Sequence, residues 1–207
     1  MQLKESSKNF KKMENITDRF EVEEVLNHEN YNPGKIKSSE VKGLRKLFID
    51  ELKQIYWAEG SFKQVLHKMI KHSSAFELRD ELKRQLEFID DHQMKIGEVL
   101  LFVGEKSEGI KSRAIEGLIK EAEKLMEDTK KGLVKDAGII SSAFKIIYYE
   151  TATLGVLCFY ARTLGEDTAA GLLQKTLREE NDANEKLSQL IESIRLQMAD
   201  TSDRIHS

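Results

Sequence analysis

Residues 48–69 read FIDELKQIYWAEGSFKQVLHKM, and their spacing decides the fold. Phe48, Leu52, Ile55, Phe62, Leu66 and Met69 recur in alternating steps of four and three, the repeat of one helical face turned to a core. Glu59 fills the step between Ile55 and Phe62, where a hydrophobe belongs. An ionised carboxylate in an apolar core is costly unless it is paired, hydrogen-bonded or bound to a cation, so this one position raises a question of function.

The same pattern recurs three more times. A helix beginning near Phe76 carries Leu78, Leu82, Ile89, Ile96, Leu100 and Val103 on one stripe, with His92 near its centre, Glu87 on the opposite side and Asp90 on the flank. A helix that follows Gly132 and runs to about Leu164 places Glu150 among Ile139, Ala143, Ile146, Ile147, Leu154, Leu157 and Ala161. Its other face carries Tyr148, Tyr149, Phe159 and Tyr160, which implies a second packing partner: a short helix or another subunit. The last helix, about 166–199, repeats Leu173, Leu177, Leu187, Ile191 and Ile194, interrupted by Glu180 and Asn184. A loop from Gly104 to Gly109 and a shorter helix at about 111–129, with Ile115, Leu118 and Ala122 on its apolar face, separate the two pairs of long helices. Gly165 stands where a helix-terminating glycine belongs.

These elements predict an all-α protein: a four-helix bundle over residues 41–199, a short cross-over helix within it, an N-terminal extension over 1–40 and a C-terminal tail over 200–207. In the extension, Phe20, Val22, Val25 and Leu26 can form one short amphipathic helix before the turn at Asn32, Pro33 and Gly34. With 207 residues there is enough chain for one sizeable core. Lys+Arg 33 against Asp+Glu 36 leaves a net charge of -3, which draws the chain neither to nucleic acid nor to anionic lipid. The lone Cys158 lies in an apolar segment and is expected to pack as a small hydrophobe in a reducing compartment. No run reaches the roughly 18 apolar residues of a membrane span, so a cytoplasmic location is expected. Phosphate loops, cysteine pairs for zinc, HExxH and nucleophile elbows are missing, and no catalytic residue or small-molecule substrate is identified.

Glu59, His92, Glu150 and Glu180 therefore come from four separate helices, near mid-helix, each on the inward stripe. Carboxylate oxygen and imidazole nitrogen suit iron, manganese or zinc, and a bundle interior brings such groups together. Taken singly each has a structural reading, a glutamate paired with Lys or Arg or a satisfied core histidine; the coincidence in four helices, with no matching set of inward Lys or Arg, points to a shared ion. Charge runs such as KEAEK and REENDANEK read as solvated faces.

The segments LFIDELKQIYWAEGSF (47–62), AIEGLIKEAE (114–123), YETATLG (149–155) and LLQKTLREEN (172–181) resemble the YciE/YciF family of the ferritin-like superfamily, over about residues 40–195. The resemblance implies a ferritin-like bundle, a two-fold homodimer, bacterial origin and an association with stress responses. It also implies inward acids at Glu59, Glu150 and Glu180 and a histidine at His92. Departures are specific: Phe88, Ile147, Tyr148 and Asn184 stand where the family usually has an acid, an acid, a histidine and an aspartate. Phe88 and Ile147 are expected to fill space that ligands would otherwise occupy. Three carboxylates and one histidine fall short of the four and two of a di-iron carboxylate bundle. The reading is a stress-associated protein with a reduced site for one iron, manganese or zinc ion; a metal-free dimeric interaction module is the alternative, and a ferroxidase or peroxide-consuming oxidoreductase the least supported.

Overall fold

The computed structural model describes the backbone of residues 37–205 and the side chains of 37–194. The proposed helix at Phe20–Leu26 and the turn at Pro33 lie outside the described residues. Five helices follow: α1 Ser38–His72, α2 Phe76–Phe102, α3 Arg113–Asp128, α4 Leu133–Thr163 and α5 Asp167–Ile205. The α1–α2 and α4–α5 hairpins pack so that α1 touches α2 and α4 while α5 touches α2 and α4, closing a four-helix bundle; α3 lies over α1 and α4. The short helix is thus a second partner for the broad apolar surface of α4. Residues 199–205 contain neither Gly nor Pro, and α5 continues to Ile205, into the segment expected as a C-terminal tail.

Phe48, Leu52, Ile55, Phe62, Leu66 and Met69 of α1 are buried, as are Leu82, Ile89, Ile96 and Leu100 of α2, Ile139, Ile147, Leu154 and Leu157 of α4, and Leu173, Leu177, Leu187 and Ile194 of α5. Each stripe read from the sequence is a core face. Cys158 is buried as well, and burial pushes its thiol up to about 11, so it is a packing residue.

The turns are closed by polar groups with defined partners. Gly104 (φ 82°) and Gly165 (φ 75°) adopt the left-handed conformation that ends α2 and α4. In each case the next amide returns to the last turn, Glu105 N to Leu100 O at 2.8 Å and Glu166 N to Ala161 O at 2.9 Å, the paired closure of a Schellman motif. The α1–α2 turn is held from outside. Ser74 N and Ala75 N donate to the two oxygens of Asp136, at 2.7 and 2.8 Å, so a fully buried carboxylate in the first turn of α4 also caps the start of α2. Lys135, next to it, donates at 2.5 Å to Met126 O in the last turn of α3. Two buried charges are thereby spent on helix ends.

Ion pairs register the helices. Lys63 and Asp90 at 2.5 Å join α1 to α2, Arg45 and Glu166 at 2.8 Å join the start of α1 to the α4–α5 turn, and Lys68 with Glu123 ties α3 to α1. The first brings residues well inside two antiparallel neighbours to similar depth.

Candidate metal centre

Period-3.6 spacing aims Glu59, His92, Glu150 and Glu180 inward, and all four are buried, the two glutamates Glu59 and Glu150 completely. Glu59, His92 and Glu180 converge: one oxygen or nitrogen of each lies within 4.8 Å of the others. Glu150 is outside that cluster, though its charge and those of Glu59 and Glu180 act on one another.

His92 sits at the hinge of the arrangement. Nδ1 is 3.0 Å from Glu180 Oε1 but out of line for a hydrogen bond. Two donors on one ion at about 2.1 Å each stand roughly 3.0–3.4 Å apart, so the separation suits a shared cation. Nε2 is in hydrogen-bond geometry with Glu179 Oε2 at 3.1 Å. Lys95 Nζ donates to the same Oε2 at 2.7 Å and pairs with Asp91 at 2.5 Å. A chain of charges therefore leads from the buried cluster to the surface at Asp91.

Most other buried polar side chains are satisfied: Gln85 by Glu81, Ser73 by Met69 O, Ser142 by Gly138 O and Thr153 by Tyr149 O. The core cluster is the exception. Among the described residues, eight buried side-chain oxygen or nitrogen atoms lack a hydrogen-bond partner, and seven belong to Glu59, His92, Glu150, Glu180 and Asn184. Asn184 donates through Nδ2 to Thr151 Oγ1 at 3.3 Å and leaves its Oδ1 without a partner. Native proteins pair over 90% of such groups, so a concentration of acceptors in one place calls for a donor or a cation.

Electrostatics agree. Burial, reinforced by Glu180, pushes the Glu59 carboxyl up to about 8, and burial with repulsion from Glu59 and Glu180 holds Glu150 well above the ordinary carboxylate range. Burial opposes a charged imidazole at His92, but the contacts with Glu180, Glu59 and Glu179 outweigh it and raise the ring. The Lys95 ammonium lowers Asp91 by a direct hydrogen bond.

Three sequence expectations change. Phe88 does not occupy the core: it is 37% exposed and stacks on His92 at 6.3 Å between ring centres, with the Arg84 guanidinium 6.0 Å from its own. It lies at the edge of the α2 stripe, one turn before His92, and covers the outer side of the imidazole; Ile147 alone of the pair is in the core. Lys95 is a buried cation beside the cluster, although no inward Lys or Arg was expected, and Glu179, in the charge run read as solvated, is 23% exposed and bonded inward. Lys95 stands three residues after His92, a helical neighbour, which was the available signal. Tyr148 is 46% exposed and Tyr56 packs against Gly97, so both are packing or surface residues.

Comparison with known proteins places the chain in a family. Residues 43–200 match the family described as Domain of unknown function (DUF892). Protein YciF of Escherichia coli (strain K12) is 34% identical over 151 residues, covering 72% of this chain and 91% of that protein. The crystal structure of the E. coli stress protein YciF superposes with a TM-score of 0.70, over 73% of this chain and 96% of the other. YcfI of Rhodopseudomonas palustris superposes with a TM-score of 0.69 at 32% identity, over 74% of this chain and 98% of the other. Protein XCC3681 of Xanthomonas campestris pv. campestris, 15% identical, shares the fold with a TM-score of 0.60, over 78% and 99%. A bundle in which matched residues run from the second turn of α1 into the last helix, at 34% identity to YciF, shows that the chain belongs to the YciE/YciF family, DUF892.

Proposed function

We propose that this chain is a stress-associated, cytoplasmic metal-binding bundle that holds one iron, manganese or zinc ion between Glu59, His92 and Glu180, with Glu150 as the adjoining carboxylate. The observation that carries the reading is the group of unpartnered polar atoms at the centre of the bundle, in a protein whose other buried charges, Lys135 and Asp136, have partners. Oxygen and imidazole donors fit those three metals better than a thiolate-seeking ion. When bound, the ion would supply positive charge that the carboxylates otherwise lack. The name of YciF as a stress protein supports the physiological half of the proposal.

The protein is proposed to act as a homodimer. Tyr148, Val156 and Phe159 are exposed at 46, 42 and 38% along α4, at helical spacings of eight and three, an apolar stripe of the kind that pairs with another surface. A metal-free interaction module is the second reading, and the raised Glu59 and Glu150 carboxyls favour it, since as neutral acids they tolerate the core without a cation.

Elemental analysis of protein purified without a metal-affinity tag separates the two. The metal reading expects about one ion per chain, lost in Glu59→Ala. No uptake from added iron, manganese or zinc, or equal uptake by Glu59→Ala, leaves the metal-free module. Sedimentation of the native chain beside Val156→Glu tests the dimer.

A further inference from the structure

The contact of His92 with Glu179 has no part in the donor set just described, yet it is the better formed of the two contacts the ring makes. Nε2 meets Glu179 Oε2 at 3.1 Å in hydrogen-bond geometry, while Nδ1 faces Glu180 at 3.0 Å without it. A carboxylate accepts only, so the proton of the neutral ring belongs on Nε2 and the Nδ1 lone pair is left facing Glu59 and Glu180. Glu179 is itself immobilised: Lys95 donates to the same oxygen at 2.7 Å, and Lys95, 5% exposed, is held in turn by Asp91 at 2.5 Å.

We propose that Glu179 is a positioning residue that sets the tautomer of His92, so that Nδ1 is the nitrogen presented to the cation, and that Lys95 holds Glu179 in place for this role. The assignment deepens the metal reading and depends on it for its purpose, but the ring's protonation pattern is a property of the metal-free protein. A carboxylate that orients a ligating imidazole raises its basicity and fixes its plane, and removing such a partner weakens metal affinity by roughly 10–100-fold. Adjacent glutamates on one helix thus serve differently. Glu180 points at the ion site, and Glu179, one residue earlier and about 100° around the helix, reaches the far side of the same ring.

The test uses the full chain labelled with ¹⁵N-histidine, freed of metal and held at alkaline pH so that the ring is neutral; His92→Gln identifies the signal. Two-bond ¹H–¹⁵N spectra should show the proton on Nε2 and a bare Nδ1 in the native protein and in Glu179→Gln, whose side-chain oxygen still accepts. Glu179→Ala should move the proton largely to Nδ1, and zinc titration should show its affinity falling roughly 10–100-fold while Glu179→Gln stays near the native value. A native ring protonated on Nδ1 overturns the proposal, and so does a Glu179→Ala ring and zinc affinity identical to native. The native spectrum decides the tautomer even should Glu179→Ala fail to fold. A bare Nδ1 in a native chain that takes up no zinc, iron or manganese supports the positioning role and refutes the metal reading instead.

Discussion

Replacing Glu59 by glutamine should stabilise the metal-free protein, by an amount that grows with pH. The side chain is fully buried, with neither oxygen hydrogen-bonded, and its carboxyl is raised from the usual 4.5 to about 8. A carboxyl that binds its proton more tightly when folded stabilises the fold below pH 4.5, where both states are protonated. That contribution is lost as pH rises through the interval from 4.5 to about 8. At about 1.4 kcal/mol per pH unit, the native state is disfavoured by about 3 kcal/mol at pH 7, where the unfolded carboxyl is ionised and the buried one still holds its proton, and by about 5 kcal/mol above pH 8, where the buried one ionises too. Glutamine escapes this cost and keeps nearly the same shape. For a chain of this size, about 3 kcal/mol raises Tm by roughly 6–12 °C. Calorimetry of both proteins in chelator from pH 5 to 9 should show Tm curves that nearly meet at pH 5 and diverge upward. Free zinc at 1,000 times Kd should reverse the order at pH 7, since it stabilises the native protein by about 4.1 kcal/mol, more than the variant gains, and the variant lacks a ligand. A Glu59→Gln protein less stable than native at pH 8 without metal, or a difference independent of pH, would refute the argument by showing that Glu59 is ionised and paired inside the fold.

Metal affinity should rise with pH up to about 8 and then level, because a cation must displace the Glu59 proton; zinc titrations that detect proton release by buffer-dependent heats check this, and flat affinity from pH 6 to 8 contradicts it. Asp136→Ala should cost about 2–5 kcal/mol, since it strands the half-buried Ser74 and Ala75 amides at the start of α2; denaturant unfolding beside Asp136→Asn, which keeps one acceptor, measures it. Gly165→Ala should cost about 1–2 kcal/mol from a side chain forced to φ 75° at the end of α4, by the same unfolding assay, whereas Gly171→Ala, inside α5 with open space around it, should stabilise by about 0.5–1 kcal/mol.

Much of this protein is legible in its spacing. Steps of four and three locate four long helices, and the interruptions at Glu59, His92, Glu150 and Glu180 are legible because helical period converts position along the chain into direction around it. Gly165 reads as a stop for the same local reason. The partners of His92 do not read this way. Glu179 sits 87 residues away in a run whose charges look solvated, and Lys95 looks like one more surface lysine until its nitrogen is found between Asp91 and Glu179.

The sequence by itself determined the helix count, the core faces and the inward direction of the four candidate ligands, because these depend on interactions within a few residues. Only the tertiary structure decided which of the four meet. It gathers Glu59, His92 and Glu180 and leaves Glu150 beside them, moves Phe88 out to the flank of the imidazole, and supplies Glu179 and Lys95 as a charged support. The physical reason is that distances between side chains on different helices follow from how those helices pack in depth and rotation, and neither periodicity nor composition records that.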